Sequence, residues 1–157
     1  MTISFVRFII GWIISWSSIN ANSQPFSLLQ AEVLFRSGMI CLQLNNSQQA
    51  NVFFQKSADL FFPAAMKSLA DSYWSGDGIE LNPTKAMVLY LLSADRGYGT
   101  SQLTVGLILS KNEKGYVNSQ LASLYFKKAL ANPQLETALK EIAQEGLKEL
   151  ESIQKKN

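Results

Sequence analysis

An alanine returns in this chain with near-constant neighbours, about one helical hairpin apart. Lys56-Ser57-Ala58-Asp59, Leu92-Ser93-Ala94-Asp95 and Lys127-Lys128-Ala129-Leu130 set Ala58, Ala94 and Ala129 at intervals of 36 and 35 residues. An aromatic residue stands four positions before each: Phe54, Tyr90 and Tyr125. A period of this length is that of a supersecondary unit. One such hairpin has an apolar stripe that it cannot cover alone, so units of this kind stack and bury a shared core. The expected fold class is all-α, a short α/α solenoid of stacked antiparallel hairpins.

The length of 157 residues allows three to four such hairpins. Charged residues make up 17 % of the chain and the formal net charge is +2, too weak a field to favour nucleic acid. Lys and Arg are scattered, without a basic stripe or an RNA-binding or finger signature, so no nucleic-acid partner is expected. His is absent, which removes the commonest proton shuttle near neutral pH and the commonest metal ligand. Cys41 is the single cysteine. It can form neither an internal disulfide nor a thiolate cluster, and its setting in Met39-Ile40-Cys41-Leu42 reads as buried and inert. Gly76-Asp77-Gly78 is too short for a phosphate loop and lacks a following Lys-Ser/Thr pair. Asp71 shares no helical face with Glu80 or Asp95. No catalytic, metal or cofactor residues are therefore expected, and the chain reads as a non-enzyme.

Residues 1–23 have the form of a secretory signal peptide. Arg7 is followed by the apolar run Phe8-Ile9-Ile10-Gly11-Trp12-Ile13-Ile14-Ser15-Trp16, then polar Ser17-Ser18, then Ala21-Asn22-Ser23 with small residues at the −3 and −1 positions of a cleavage site. The run is short against the roughly 20 residues of a membrane span. Cleavage after Ser23 removes Arg7 and lowers the formal charge from +2 to +1. An uncleaved membrane anchor and a buried first helix are the rival readings. The implied location is the bacterial periplasm or the exterior, with membrane contact only through an uncleaved segment.

The remainder, 24–157, reads as one helical repeat domain with hairpins at about 27–61, 64–96 and 100–131 and a capping helix at about 133–153. In the first helix Leu28, Ala31, Leu34, Phe35, Met39 and Leu42 follow a helical period. Ser47 is placed to cap the second helix, and Pro63 to begin the third. Ala65, Leu69, Ala70 and Tyr73 form one apolar face. Gly76 or Gly78 ends that helix, Ile79 plugs the hairpin, and Asn82-Pro83 is a cap followed by a first helical residue. Val105, Gly106 and Leu109 stand 36 residues after Leu69, Ala70 and Tyr73. Gly106 costs about 1 kcal/mol of helix propensity, and close helix contact is the compensation. Asn118 or Ser119 caps the next helix, and Asn132-Pro133 ends it and starts the last, whose apolar side carries Leu135, Leu139, Ile142, Leu147, Leu150 and Ile153.

These residues resemble the Sel-one-like repeat family, relatives of the tetratricopeptide repeats. The central unit supplies the family's motif as Ala65, Leu69, Ala70 where Gly is usual, Tyr73, Gly76, Gly78, Ile79, Asn82 for Asp, Lys85, Ala86, Tyr90, Ser93 and Ala94, with Gly97 also in place. The following unit matches through Gln102, Val105, Gly106, Leu109, Asn112, Tyr125, Lys128 and Ala129. The preceding one keeps Ala50, Phe54, Ser57 and Ala58. The resemblance covers about residues 30–131. It implies a right-handed superhelix with a concave surface and a role as an adaptor that holds other proteins in signalling, secretion, envelope assembly or host interaction, without catalysis.

In such a stack the first helix of each hairpin lines the inner surface. Lys67, Asp71 and Trp74 then face the groove, and a shift of one unit adds Leu103, Leu107 and Ser110. Trp74 beside Leu107 offers an aromatic–aliphatic patch for a peptide or partner helix; mutual packing of these two is the competing reading. The expected partner is another protein or a peptide. The alternatives are a peptide- or glycan-binding envelope protein and a membrane-anchored accessory subunit of an envelope or secretion complex.

Overall fold

In a computed structural model the described residues are 27–111 and 113–154. The segment 1–23, read from its sequence as a signal peptide, and the Lys155-Lys156-Asn157 tail lie outside them. Seven α-helices follow one another: α1 (27–43), α2 (Ser47–Asp59), α3 (Pro63–Ser75), α4 (Pro83–Asp95), α5 (Gly99–Ser110), α6 (Ser119–Ala131) and α7 (Thr137–Gln154). No strand occurs among the described residues. Each helix from α2 onward packs on the next, and α7 reaches back to α5 as well as α6. The all-α hairpin stack is the one that the periodicity implies.

The second helix of every hairpin starts from an asparagine. Asn46, Asn82 and Asn118 accept, through the side-chain oxygen, the backbone N–H of Gln49, Lys85 and Leu121 at 3.1, 2.9 and 2.9 Å. This satisfies one of the free donors of each helix start. Ser47 is therefore not the cap expected of it; its hydroxyl instead donates to the Asp77 carboxylate at 3.0 Å. The three caps lie 36 residues apart throughout, and the core follows them. Ala50, Ala86 and Ala122 are fully buried. So are Ser57, Ser93 and Ala129, while Phe54, Tyr90 and Phe126 are all buried.

The third unit thus keeps an interval of 36, and the interval of 35 through Ala129 was a near-match in sequence alone. Ala129 takes the place of Ser57 and Ser93, and Phe126 takes that of Phe54 and Tyr90. Tyr125 is buried too, but it turns its hydroxyl to Asp95 of the preceding hairpin at 3.1 Å.

Close approach at the crossings comes from glycine. A Cβ on Gly38 would lie 2.5 Å from the Phe54 ring, and one on Gly106 would lie 2.6 Å from the Phe126 ring. Another edge of the Phe126 ring meets Gly146 of α7, where a Cβ would also come within 2.6 Å. In α4 and α3 the small residue is Ala70, fully buried in the same core as Tyr90. At the hairpin turn Gly76 and Gly78 both take positive φ, 79° and 67°, a conformation that only glycine adopts cheaply. Ile79 is half-buried against the first-hairpin core, together with Phe35, Cys41 and Leu42. Cys41 is thus a free, partly covered thiol rather than a fully buried one.

Buried polar groups tie successive helices. The Ser57 hydroxyl donates to the Ala31 carbonyl at 2.6 Å and the Ser93 hydroxyl to the Pro63 carbonyl at 2.7 Å. Ser101 donates to the Ser93 oxygen at 2.7 Å, and Gln102 to the Ala94 carbonyl at 3.1 Å, which joins the second hairpin to the third. Asn132 donates to the Gly97 carbonyl and to Gln102, ends α6, and is followed by a turn, so α7 starts at Thr137 rather than at Pro133. Its inner side is Ala143 and Leu150, with Leu139 and Leu147 half-covered, whereas Ile142 and Ile153 are exposed. α5 has no charged residue, and Leu103, Val105, Gly106, Ile108 and Leu109 are all buried. Contacts with α4, α6 and α7 cover it on several sides.

Candidate functional site

The first helices of three successive hairpins enclose a groove of about 430 Å³. α1 contributes Phe35, Met39 and Leu42; α3 contributes Lys67, Ser68, Asp71, Ser72 and Ser75, with Asp77 in the turn after it; Tyr98 and Thr100 close it at the start of α5. One wall is apolar and the other polar. The α1 wall owes its position to the Phe35 ring, which packs on Phe54 and Phe62 with ring centres 5.8 and 5.4 Å away. The α3 wall is fixed from behind by α4: the Tyr90 hydroxyl donates to Asp71 Oδ1 at 2.7 Å. Asp71 Oδ2 meanwhile accepts from Lys67 Nζ at 2.7 Å, one helical turn earlier. The Asp71 carboxylate is thus held by both oxygens, with the lysine on the groove side.

Of the residues expected to face the groove, Lys67 and Asp71 do. Trp74 is half-buried at the hairpin's end. Its ring lies 6.2 Å from those of Tyr90 and Tyr116, and Lys114 Nζ sits 4.8 Å above it while donating to the Trp74 carbonyl. Leu103 is buried in the core, Leu107 packs against it partly covered, and the Ser110 hydroxyl turns back on the Leu107 carbonyl at 3.0 Å. The structure thus assembles the inner surface from α1 and α3, with Tyr98 and Thr100 of the third hairpin at its edge. Phe35, Met39 and Leu42 were missed because the α1–α2 connection is four residues shorter than the α3–α4 one, 44–46 against 76–82. They precede Lys67, Asp71 and Trp74 by 32 residues instead of 36.

At the next hairpin Asp95 gathers the Tyr125 hydroxyl and, at 3.3 Å, Lys128 Nζ, which also lies 4.7 Å from the Tyr125 ring centre. Burial, then the adjacent Asp95 charge, raises the Tyr125 phenol to about 12. This is a packing phenol, protonated at any physiological pH. No group of three or more His, Cys, Asp or Glu among the described residues can hold a metal, and no helix among them is long and apolar enough to cross a membrane.

No family model and no curated protein matches the sequence. The fold does have relatives among solved structures. A Sel1 repeat protein from Oxalobacter formigenes superposes with a TM-score of 0.62 at 19% identity, over 67% of this chain and 45% of that one. A protective antigen of uropathogenic Escherichia coli strains, described as displaying an SLR fold, superposes with a TM-score of 0.69 at 20% identity, over 88% of this chain and 28% of that one. The chain therefore spans less than half the length of either. The even 36-residue unit, the capped hairpins, the glycine crossings and these superpositions together give the chain the fold of the Sel1-like repeat solenoids.

Proposed function

We propose that the chain is a non-catalytic adaptor that holds a segment of another protein in the groove between α1 and α3. One observation carries this reading: the groove pairs an apolar wall of Phe35, Met39 and Leu42 with a polar wall whose charged members, Lys67, Asp71 and Asp77, already have partners. An apolar stripe beside oriented polar groups suits an amphipathic helix or an extended peptide, whose side chains need the first and whose polar atoms need the second. It suits chemistry poorly. No nucleophile–base pair lies there, and the carboxylate is engaged at both oxygens. A glycan site would set several aromatic faces against Asp or Asn along the groove; of the two rings in the lining, Phe35 packs on other rings and Tyr98 stands at the α5 end. The form of residues 1–23 supports action in the periplasm or outside the cell.

A photo-crosslinking residue at Met39, in cells that express the chain, tests the proposal. The expected result is a covalent adduct with one protein, lost when Lys67→Glu reverses the charge on the facing wall, and absent when the crosslinker stands at Val88 on the outer helix α4. Adducts that do not change with Lys67→Glu, or glycan adducts in place of protein, would overturn it.

A further inference from the structure

Among the described residues the two ends of the stack are finished differently. At one end α7 covers α5 and α6 and turns Glu141, Glu145, Lys148 and Glu149 to water, as a terminal helix of a repeat array does. At the other end α1 turns out a seam of Leu29, Val33, Ile40 and Leu44, exposed to 60, 54, 56 and 73 %. Arg36 stands between Val33 and Ile40, so the steps along the seam are 4, 3, 4 and 4 residues, the spacing with which one helix meets another. Leu44 belongs to it because its N–H continues the helical bonding to the Ile40 carbonyl at 3.1 Å.

The order of residues in the seam says what fits it. It reads the same from both ends about a point between Arg36 and Ser37: Leu29 and Leu44 are equidistant from that point, and so are Val33 and Ile40. Two such helices laid antiparallel about a twofold axis at that point match leucine with leucine and valine with isoleucine, so every apolar side chain of the seam meets another. This is the self-complementarity that an isologous contact requires. The charges agree. The charged side chains of helix 27–43 are Glu32 and Arg36, and they pair within the helix at 2.6 Å. The face is therefore neutral, with no net charge to repel its own copy and none to select an acidic or basic partner.

We propose that the outer face of α1 is a homodimer interface, on which a second copy of this chain docks antiparallel about the Arg36–Ser37 midpoint. The proposal is independent of what occupies the groove.

Sedimentation of the full chain at micromolar concentration tests it. The expected mass is that of two chains. Val33→Glu with Ile40→Glu is expected to halve it and leave far-UV circular dichroism and the melting temperature unchanged, since both positions are exposed. In a Cys41→Ser background, Ser37→Cys lies beside its own counterpart at the axis and is expected to crosslink with a short bis-maleimide, whereas Val88→Cys does not. A monomer overturns the proposal. So does a dimer indifferent to the two glutamates, or one that Ser37→Cys fails to crosslink. A monomer that pairs only after removal of residues 1–23 would make that segment the occupant, and a monomer that binds lipid vesicles through Val33 and Ile40 would make it a membrane; either result also overturns the proposal.

Discussion

Phe61 adopts a left-handed backbone, φ 62°, at the turn where the next unit, 36 residues on, has Gly97 at φ 84°. A side chain in that region costs roughly 1–2 kcal/mol, and the exposed Phe61 ring recovers part of it under Arg96, 4.7 Å from the ring centre. Phe61→Gly is expected to stabilise the fold by about 1 kcal/mol, read as a higher urea midpoint; a lower midpoint would show that the Arg96 contact outweighs the strain. Tyr125 gives a second expectation. Its phenol is raised from 10.0 to about 12 in the folded chain, so folding favours the protonated form. The stabilisation is complete below pH 10 and falls as pH rises through 12. Tyr125→Phe should flatten the alkaline limb of a stability–pH curve, and a limb of unchanged slope would assign it to other groups. Neither feature is legible in sequence. Phe61 looks like an ordinary apolar residue before Phe62-Pro63, and a tyrosine's partner across hairpins is set by packing.

At the scale of the element, much was legible because several local signals agree. Asn82-Pro83 marks a cap and a first turn, Gly76 and Gly78 mark the turn before it, and the apolar residues between them keep the period of a helix. The register of α6 was misread because Lys127-Lys128-Ala129 imitates the Lys-Ser-Ala of Lys56-Ser57-Ala58; the evenly spaced asparagines, whose geometry admits no slip, carry the true interval. The glycine in α5 was read correctly as a close contact, but its partner was hidden in the same slip. Gly106→Val should destabilise the hairpin by about 1–3 kcal/mol through overpacking on the Phe126 ring, seen in a urea melt. Asn82→Ala should cost about 1 kcal/mol by freeing the Lys85 N–H. An unchanged midpoint in either variant would mean that the helix end or the ring shifts without cost.

For the whole molecule the stack follows from the period, whereas the groove follows from an exception to it. The sequence period places the inner surface one unit after Lys67, Asp71 and Trp74, yet its apolar wall lies one unit before them, on the helix with the shortest connection within a hairpin. Asp71, held from behind by Tyr90, makes the groove's polar wall as stable as the central hairpin. Asp71→Ala should therefore weaken capture of the partner segment through a displaced Lys67, by an amount that Tyr90→Phe reproduces in part; equal binding by all three chains would place recognition elsewhere.

The Phe126 ring meets Gly106 at one edge and Gly146 at another, so a single side chain joins three helices that belong to different levels of the chain's hierarchy. Its loss would open two crossings at once, and the last hairpin and its lid would exchange their amide protons for deuterium as one cooperative block while the first two hairpins stayed protected. In a Phe126→Ala chain the C-terminal third would therefore open first, taking the Tyr98–Thr100 edge of the groove with it while the α1 and α3 walls remain.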